Sequence, residues 1–273
     1  MAADPVRHRA AVLGSPIAHS LSPRLHTTGY AALGLSDWEY TSADVTEDQF
    51  GEVVAVLDDT WRGLSVTMPL KEVAFEVAAT VSDLAARVGA INTLVRRRDG
   101  GWDAYNTDVA GIVESLRALP LDDHAVIIGA GATARSAVLA LRALGVTRVS
   151  VAARRPEAAA ALAAFARTAG LSADTVPLGA WSRPRARLVL STVPAGASHE
   201  LLAATAGADL DLVFFDVGYA GWPTPLAAAV IAAGGTAVSG LEMLIHQATA
   251  QFELFTGDAV SADVLRAGVA DLC

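Results

Sequence analysis

Ala125-Val126-Ile127-Ile128-Gly129-Ala130-Gly131-Ala132-Thr133-Ala134 is the stretch on which the fold turns. Its first four residues form a continuous apolar run, as a parallel strand buried on both faces requires. Gly129 and Gly131 then permit a tight turn, and the helix expected from Thr133 to about Leu144 begins directly after it. Strand, glycine turn and helix in that order bring backbone N–H groups to a helix N-terminus, where unpaired donors and the dipole favour a pyrophosphate. Ala134 stands where the usual fingerprint has its third glycine. A tight turn that holds no ligand is the competing reading, and the strand-turn-helix context argues against it.

Working outward, the pattern repeats. Strands are expected at Arg148 to Ala152, Leu188 to Ser191, Val213 to Val217 and Thr236 to Val238. They alternate with helices at Pro156 to Thr168, about Ser198 to Ala206, and Pro225 to Ala233. Such alternation implies an α/β protein with a doubly wound parallel sheet. Upstream, Ala10 to Leu13 reads as a strand and Gly14 to Leu21 as a loop, with Ser22 the N-cap of a helix and Pro23 its first residue. Trp38 to Val45 alternates as a strand, and Thr46 with Gln49 forms a capping box for a helix to about Asp58. Gly63 to Met68 is a further strand, and Pro69 suits the first position of a helix. Ser82 caps a short helix, and Ile91 to Arg97 pairs with Trp102 to Asn106 across Asp99-Gly100-Gly101. A helix from Asp108 ends at Leu119, before Pro120. The tail, Glu242 to Phe255 and Ser261 to Leu272, is two helices with no strand after them. No internal repeat is found.

The composition narrows the class. Hydrophobic residues make up 53% of the 273 and charged residues 18%, enough for buried cores and unlike a disordered chain. A net charge of −9 argues against nucleic-acid and anionic-membrane partners. The single cysteine, Cys273, cannot form an internal disulfide. Met1 to Ala11 has no apolar core of signal-peptide length. The longest uncharged run, Trp222 to Leu241, is broken by Pro223, Pro225 and Gly234-Gly235 into pieces too short to span a bilayer. A cytoplasmic protein is expected.

Several polar residues have no obvious structural duty. Lys71, placed by Pro69 in the first turn of a helix, would sit at the positive end of its dipole, where its proton is held less tightly. A solvated surface lysine is the alternative. At the end of the strand after the glycine turn, an Asp or Glu would bind the ribose of NAD, and none is present. Arg154 and Arg155 stand there, and guanidinium groups suit a 2′-phosphate, so NADP is the expected cofactor. A solvated arginine pair at a sheet edge is the competing reading. Ser20 and Ser22, in a loop ending at a helix N-terminus, could cradle a carboxylate, although capping alone accounts for Ser22. Asn92 and Asp108 lie among polar residues, and Asp108 also suits a helix N-terminus on dipole grounds. Tyr219 follows an apolar strand, and Gln247 interrupts an apolar helix face. His19, His26 and His246 lack metal-ligand spacing, so no metal is expected.

These pieces, in this order, resemble the shikimate dehydrogenase family. The motifs that carry the resemblance begin with Gly14-Ser-Pro-Ile-Ala-His-Ser-Leu-Ser-Pro-Arg-Leu-His26, Ser65-Val-Thr-Met-Pro-Leu-Lys71, Gly89-Ala-Ile-Asn-Thr93 and Asn106-Thr-Asp108. They continue with the glycine turn, Tyr219 with Thr224-Pro-Leu226, and Gly240-Leu-Glu-Met-Leu-Ile-His-Gln247. The resemblance implies an N-terminal α/β substrate domain, residues 1–107, completed by C-terminal helices 240–273. A Rossmann-like, doubly wound NADP domain at 108–239 would be inserted between. It implies NADPH-dependent reduction of 3-dehydroshikimate to shikimate in aromatic amino-acid biosynthesis. On that reading Lys71 and Asp108 are the catalytic pair, and Ser20 and Ser22 hold the substrate carboxylate. Thr67, Asn92, Asp108 and Gln247 hold its hydroxyls, with Tyr219 and Lys71 also at the substrate. Gly129, Ala130, Gly131, Ala132, Thr133, Ala134, Arg154, Arg155, Thr192, Gly240 and Met243 go to the cofactor. The partners expected are a small-molecule substrate and, as a possible assembly, a homodimer.

The chain departs from the commonest family pattern at Ser65, Thr27, Ala153 and Gly221, where asparagine, asparagine, asparagine and proline are usual. A relative acting on quinate or an aminoshikimate, or a dinucleotide sensor without turnover, are the alternatives the residues leave open.

Overall fold

The computed structural model describes residues 6–194 and 198–272; Cys273 lies outside them. The chain forms two compact units, one comprising the described residues up to Thr107 and from Leu244 onward, the other Asp108–Met243. In the first unit the strands are β1 (His8–Gly14), β2 (Trp38–Asp44), β3 (Trp61–Val66), β4 (Thr80–Val81), β5 (Thr93–Arg96) and β6 (Trp102–Tyr105). They form one mixed sheet in the order β2-β1-β3-β5-β6-β4. β1 runs parallel to β2 and β3, and the β5–β6 hairpin runs antiparallel against β3. β1 lies inside the sheet with both faces covered, so Ala10 to Leu13 are all buried and an unbroken apolar run was its signal. Helices α1 (Ser22–Leu33), α2 (Glu47–Ala55) and α3 (Asp83–Val88) flank it. The Thr46 N–H donates to Gln49 Oε1 at 3.1 Å, the backward arm of the capping box. Leu13, Phe50, Leu64, Val66, Ile91, Leu94 and Trp102 fill one face of the sheet.

The second unit contains α4 (Asp108–Leu116), β7 (His124–Ile128), α5 (Ala132–Ala143), β8 (Arg148–Ala153), α6 (Pro156–Thr168) and β9 (Ser172–Pro177). It continues with β10 (Leu188–Ser191), α7 (Ser198–Ala203), β11 (Val213–Asp216), α8 (Pro225–Ala232) and β12 (Thr236–Ser239). The six strands are parallel, in the order β12-β11-β10-β7-β8-β9. The order reverses direction between β7 and β10, which opens a crevice at the carboxyl ends of those strands. The architecture is the α/β, doubly wound one expected. β9 was not foreseen: it is an edge strand whose residues are exposed or half-buried, so it carries no apolar run to read. Helix α9 (Gly240–Thr256) starts in this unit and continues in the first, followed by α10 (Ala262–Ala267) and a 3-10 turn, where one longer helix had been expected.

The expected helix at Pro69 does not form. The Leu70 N–H bonds to Thr67 O at 2.7 Å, closing a turn, and only a four-residue 3-10 helix, Val73–Glu76, follows. The Lys71 carbonyl accepts from Ile91 N–H at 2.8 Å, in the segment that leads into β5, rather than from a residue one helical turn on. The Pro signal is local, and a long-range backbone bond overrides it.

Against the other face of the first sheet, α9 sits in close contact with the backbone. A methyl group on Gly63 would fall 2.0 Å from the Phe255 ring, and one on Gly29 would fall 2.6 Å from Phe252. His26 is enclosed here, stacked on Tyr40 at 4.1 Å and flanked by Phe252 and Phe255. Burial depresses its imidazole from 6.5 to about 3, opposed only weakly by the Gln251 side chain. Between those values the unfolded chain binds a proton that the folded one refuses. Stability is therefore intact above pH 6.5 and lost as pH falls toward about 3. His26→Phe keeps a ring in the stack and removes that slope. The difference between unfolding free energies from urea titrations at about pH 7 and about pH 4.5 should be smaller for the variant than for wild type, by ~1 kcal/mol or more. An unchanged acid slope would assign it to other groups.

Candidate functional site

Two groups of predicted residues gather at strand ends, one in each unit. In the first unit, β1 ends at Gly14, where a methyl group would meet Thr67 Cγ2 at 2.4 Å and Met68 O at 2.8 Å. The loop that follows therefore lies directly against Thr67, an approach only glycine allows. Ser15 N–H donates to Met68 O at 3.0 Å and Thr67 N–H to Leu13 O at 2.9 Å, tying loop to strand end. Ser22 is not the N-cap expected. It is the first residue of α1, Leu21 is the N-cap without a side-chain cap bond, and the Ser22 N–H donates to Ser20 Oγ at 3.3 Å. Ser22 is buried, and its hydroxyl faces the Tyr40 phenol.

Asn92 follows the Lys71-bonded segment. Its backbone carbonyl accepts from Val66 N–H at 2.8 Å. Its side-chain oxygen accepts from Thr107 N–H at 2.8 Å and from the Thr93 hydroxyl at 2.8 Å. Its side-chain nitrogen donates to Thr107 Oγ1 at 2.9 Å and to Gln247 Oε1 at 3.3 Å. Lys71 is half-buried beside this segment, and Gln247 is half-buried on α9. Thus Ser20, Ser22, Thr67, Lys71, Asn92 and Gln247 all lie in the first unit. Asp108, fully buried, follows Thr107 directly and opens α4, where the dipole favours its charge.

Sequence reasoning missed the polar chain behind these groups. The Tyr40 hydroxyl donates to Ser65 Oγ at 2.7 Å, and the Ser65 hydroxyl donates to Gln251 Oε1 at 2.9 Å. Gln251 Nε2 donates to Asn92 O at 3.2 Å and to Thr93 Oγ1 at 3.0 Å. Burial pushes the Tyr40 phenol up, with Ser65 and Ser22 opposing, so it stays protonated and able to donate. One signal existed: Gln247 and Gln251 are four apart, on the same face of a helix.

In the second unit, Gly129 has φ +108°, and a methyl group there would lie 2.3 Å from Thr192 Oγ1. Both facts demand glycine. The Thr192 hydroxyl in turn donates to Ile128 O at 2.9 Å. A cavity of about 630 Å³ opens at the ends of β7, β8 and β10, lined by Gly129, Ala130, Gly131, Arg154, Arg155 and Val193 among others. Ala132, Thr133 and Ala134 form the first turn of α5, whose N-terminus no side chain caps. Gly240 donates its N–H to Gly218 O at 3.3 Å, near Tyr219 in sequence, and Met243 is buried. Thr192 stands beside Gly129, while Gly240, Met243 and Tyr219 are not among the residues that line the cavity.

Asp216, at the end of β11, was also overlooked. It is buried and accepts from Gly218 N–H at 3.0 Å and the Thr224 hydroxyl at 2.8 Å, pinning both ends of the loop that carries Tyr219. Burial pushes its carboxyl up against those bonds. Among the described residues no group of three or more His, Cys, Asp or Glu could hold a metal, and no helix is long and apolar enough to cross a membrane.

Comparison with known proteins identifies the family. The shikimate dehydrogenase substrate binding domain matches residues 12–94, and the shikimate 5′-dehydrogenase C-terminal domain matches residues 240–267. A shikimate dehydrogenase (NADP(+)) of Acidiphilium cryptum is 40% identical, over 96% of this chain and 96% of its own. The crystal structure of Mycobacterium tuberculosis shikimate dehydrogenase is 40% identical with a TM-score of 0.88, covering 97% of this chain and 99% of that one. A Thermus thermophilus shikimate 5-dehydrogenase, solved in complex with NADP(H) and shikimate, is 30% identical with a TM-score of 0.82, covering 97% and 100%. The chain belongs to the shikimate dehydrogenase family.

Proposed function

We propose that this protein is an NADP-dependent shikimate dehydrogenase, reducing 3-dehydroshikimate to shikimate reversibly in the pathway to the aromatic amino acids. The observation that supports the reading is the hydrogen-bonded cluster of Asn92, Thr107 and Gln247, next in sequence to the Ile91–Lys71 backbone bond, in the unit that also holds Ser20 and Ser22. It offers a carboxylate cradle, neutral hydroxyl readers and a cation within one set of strand ends. Residues 1–107 and 240–273 serve as the substrate domain and residues 108–239 as the cofactor domain.

The residues present fit NADP. Gly131 leaves open space where a side chain would stand, at a helix N-terminus that lacks a side-chain cap, as a pyrophosphate needs. Arg154 and Arg155 line the same cavity at the end of β8, the strand-end position where an Asp or Glu would favour a bare ribose; Glu200 lines the cavity from another element. NADPH supplies the hydride when bound. The protein's own tasks are binding, orientation and proton transfer.

Ser20 and Ser22 hold the substrate carboxylate, and Thr67, Asn92, Asp108 and Gln247 its ring hydroxyls. When hydride reaches the carbonyl carbon, the oxygen gains negative charge and must gain a proton. The Lys71 ammonium gives it, and in the reverse direction Lys71 takes it back. Asp108 orients the lysine and the reacting oxygen, stabilising the ammonium by its charge. Tyr219 is a further substrate-binding residue.

Steady-state assay of the purified protein tests the reading, with shikimate against quinate and NADP against NAD. Shikimate with NADP should give the highest kcat/KM by at least ~10-fold. Faster turnover of quinate would make the chain a quinate dehydrogenase, and no turnover with any pair would make it a sensor. The expected compartment is the cytoplasm and the expected assembly a homodimer, which light scattering on the same preparation reads directly.

A further inference from the structure

The polar chain in the first unit has a direction, and backbone groups set it. A backbone N–H can only donate, so Thr107 N at 2.8 Å fixes which end of the Asn92 amide is oxygen. A backbone carbonyl can only accept, so Asn92 O at 3.2 Å fixes which end of the Gln251 amide is nitrogen. Gln251 Oε1 must then accept, and it takes the Ser65 proton at 2.9 Å. Ser65 in turn accepts from Tyr40 at 2.7 Å. Each hydroxyl has one proton, so Ser65 has spent its own and cannot donate to a ligand.

At the other end, the Asn92 nitrogen donates to Gln247 Oε1 at 3.3 Å. That leaves the Nε2 end of Gln247, with its two N–H donors, as the end available to a ligand.

We infer that Gln247 is a specificity-determining residue that presents an N–H donor to the substrate, so the ring position it reads must carry a hydrogen-bond acceptor. A hydroxyl meets that demand and an ammonium does not. Thr107 N–H holds this polarity through the Asn92 amide, and Gln251, anchored by Ser65 and Tyr40, is the positioning residue that holds the Asn92 backbone beneath it. The inference rests on the reading of Gln247 as a substrate contact. A ring amine is protonated at neutral pH, as an alkyl amine is, and has no lone pair to offer. A donor facing a cation is repelled and also loses its own partner, a discrimination stronger than a missing contact alone.

Kinetics with shikimate and with its analogue bearing an amine in place of the ring hydroxyl test this. The wild-type protein should prefer shikimate. Gln247→Glu replaces the donor end with a carboxylate oxygen while its other oxygen still accepts from Asn92. It should move the kcat/KM ratio toward the amine analogue by ~10²-fold, with the KM for NADP changed less than ~2-fold. Gln251→Leu should raise the KM for shikimate ~10-fold at similar kcat, again without moving the KM for NADP.

If Gln247→Glu changes the KM of neither ligand, Gln247 does not touch the substrate, and the underlying reading of the site fails. If it weakens shikimate without improving the amine analogue, the site reading stands and the polarity inference is overturned. If Gln251→Leu shifts the KM for NADP in step with that for shikimate, Gln251 is merely structural. If Gln251→Leu does not fold, the Gln247→Glu measurement still decides the polarity.

Discussion

Lys71→Ala is expected to lower kcat by about 10²–10⁴-fold while the KM for shikimate changes only a few-fold. A helix dipole does not act on Lys71, because the turn around it is too short and too irregular to supply one. The role of Lys71 rests on placement. The Lys71 carbonyl is bonded by Ile91 N–H at 2.8 Å, one residue before Asn92, so its backbone is registered to the segment proposed to read the substrate. Its side chain is half-buried, which shortens its reach into solvent and limits the screening of its charge. An alkoxide forming at the carbonyl carbon needs a proton at the moment its charge appears, and water in a closed site is a poor replacement. Loss of the ammonium therefore falls on the chemical step and leaves most binding contacts in place. Single-turnover measurement with enzyme in excess separates that step from product release. A variant whose single-turnover rate stays within about 3-fold of wild type would remove Lys71 from the chemistry.

What could be read from the chain and what could not divides along sequence distance. Ile128-Gly129 at the end of β7 and the opening of α5 are adjacent, so the glycine turn announced itself. The β5–β6 hairpin did likewise, through Asp99-Gly100-Gly101. The capping box at Thr46 is complete within four residues. Ser22, by contrast, looked like the N-cap because serine before proline is a local signal, yet the helix starts at Ser22 itself, whose hydroxyl faces Tyr40. Ser65 could not be placed from its neighbours at all. Its partners are Tyr40 and Gln251, separated from it by 25 and 186 residues. Nothing in the local pattern around any of the three indicates that their hydroxyls and amide meet. β9 was invisible for another reason: it pairs on one side only and its residues are exposed or half-buried, so Ser172 to Pro177 carry no apolar run. The fold was legible where burial wrote an apolar run, and the site residues were legible where a family motif held them. The network that orients them was not.

Arg154→Ala is expected to raise the KM for NADPH by about 10–100-fold and to leave that for NADH within about 2-fold. A guanidinium forms two parallel charge-assisted hydrogen bonds to a phosphate, each stronger than a neutral one, and NADH has no phosphate at that position to lose. Location supports the choice of residue. β8 ends at Ala153, Arg154 is the next residue, and both it and Arg155 line the cavity that also holds Gly129 and Gly131. The two arginines are not equivalent. The Arg155 carbonyl accepts from Ala158 and Ala159 N–H groups, each at 3.1 Å, so its backbone is committed to the first turn of α6. Arg154 has no such duty among these bonds and is exposed at the cavity rim. Arg155→Ala should accordingly give a smaller rise for NADPH, and the double variant should bring the two cofactors close to parity. Raised salt should narrow the gap in the wild type and do little in the double variant, because screening acts on the charge that the double variant lacks. Equal rises for NADPH and NADH in Arg154→Ala would mean that the arginine supports the shape of the loop and does not contact the 2′-phosphate. The preference for NADP would then have to come from elsewhere in the cavity.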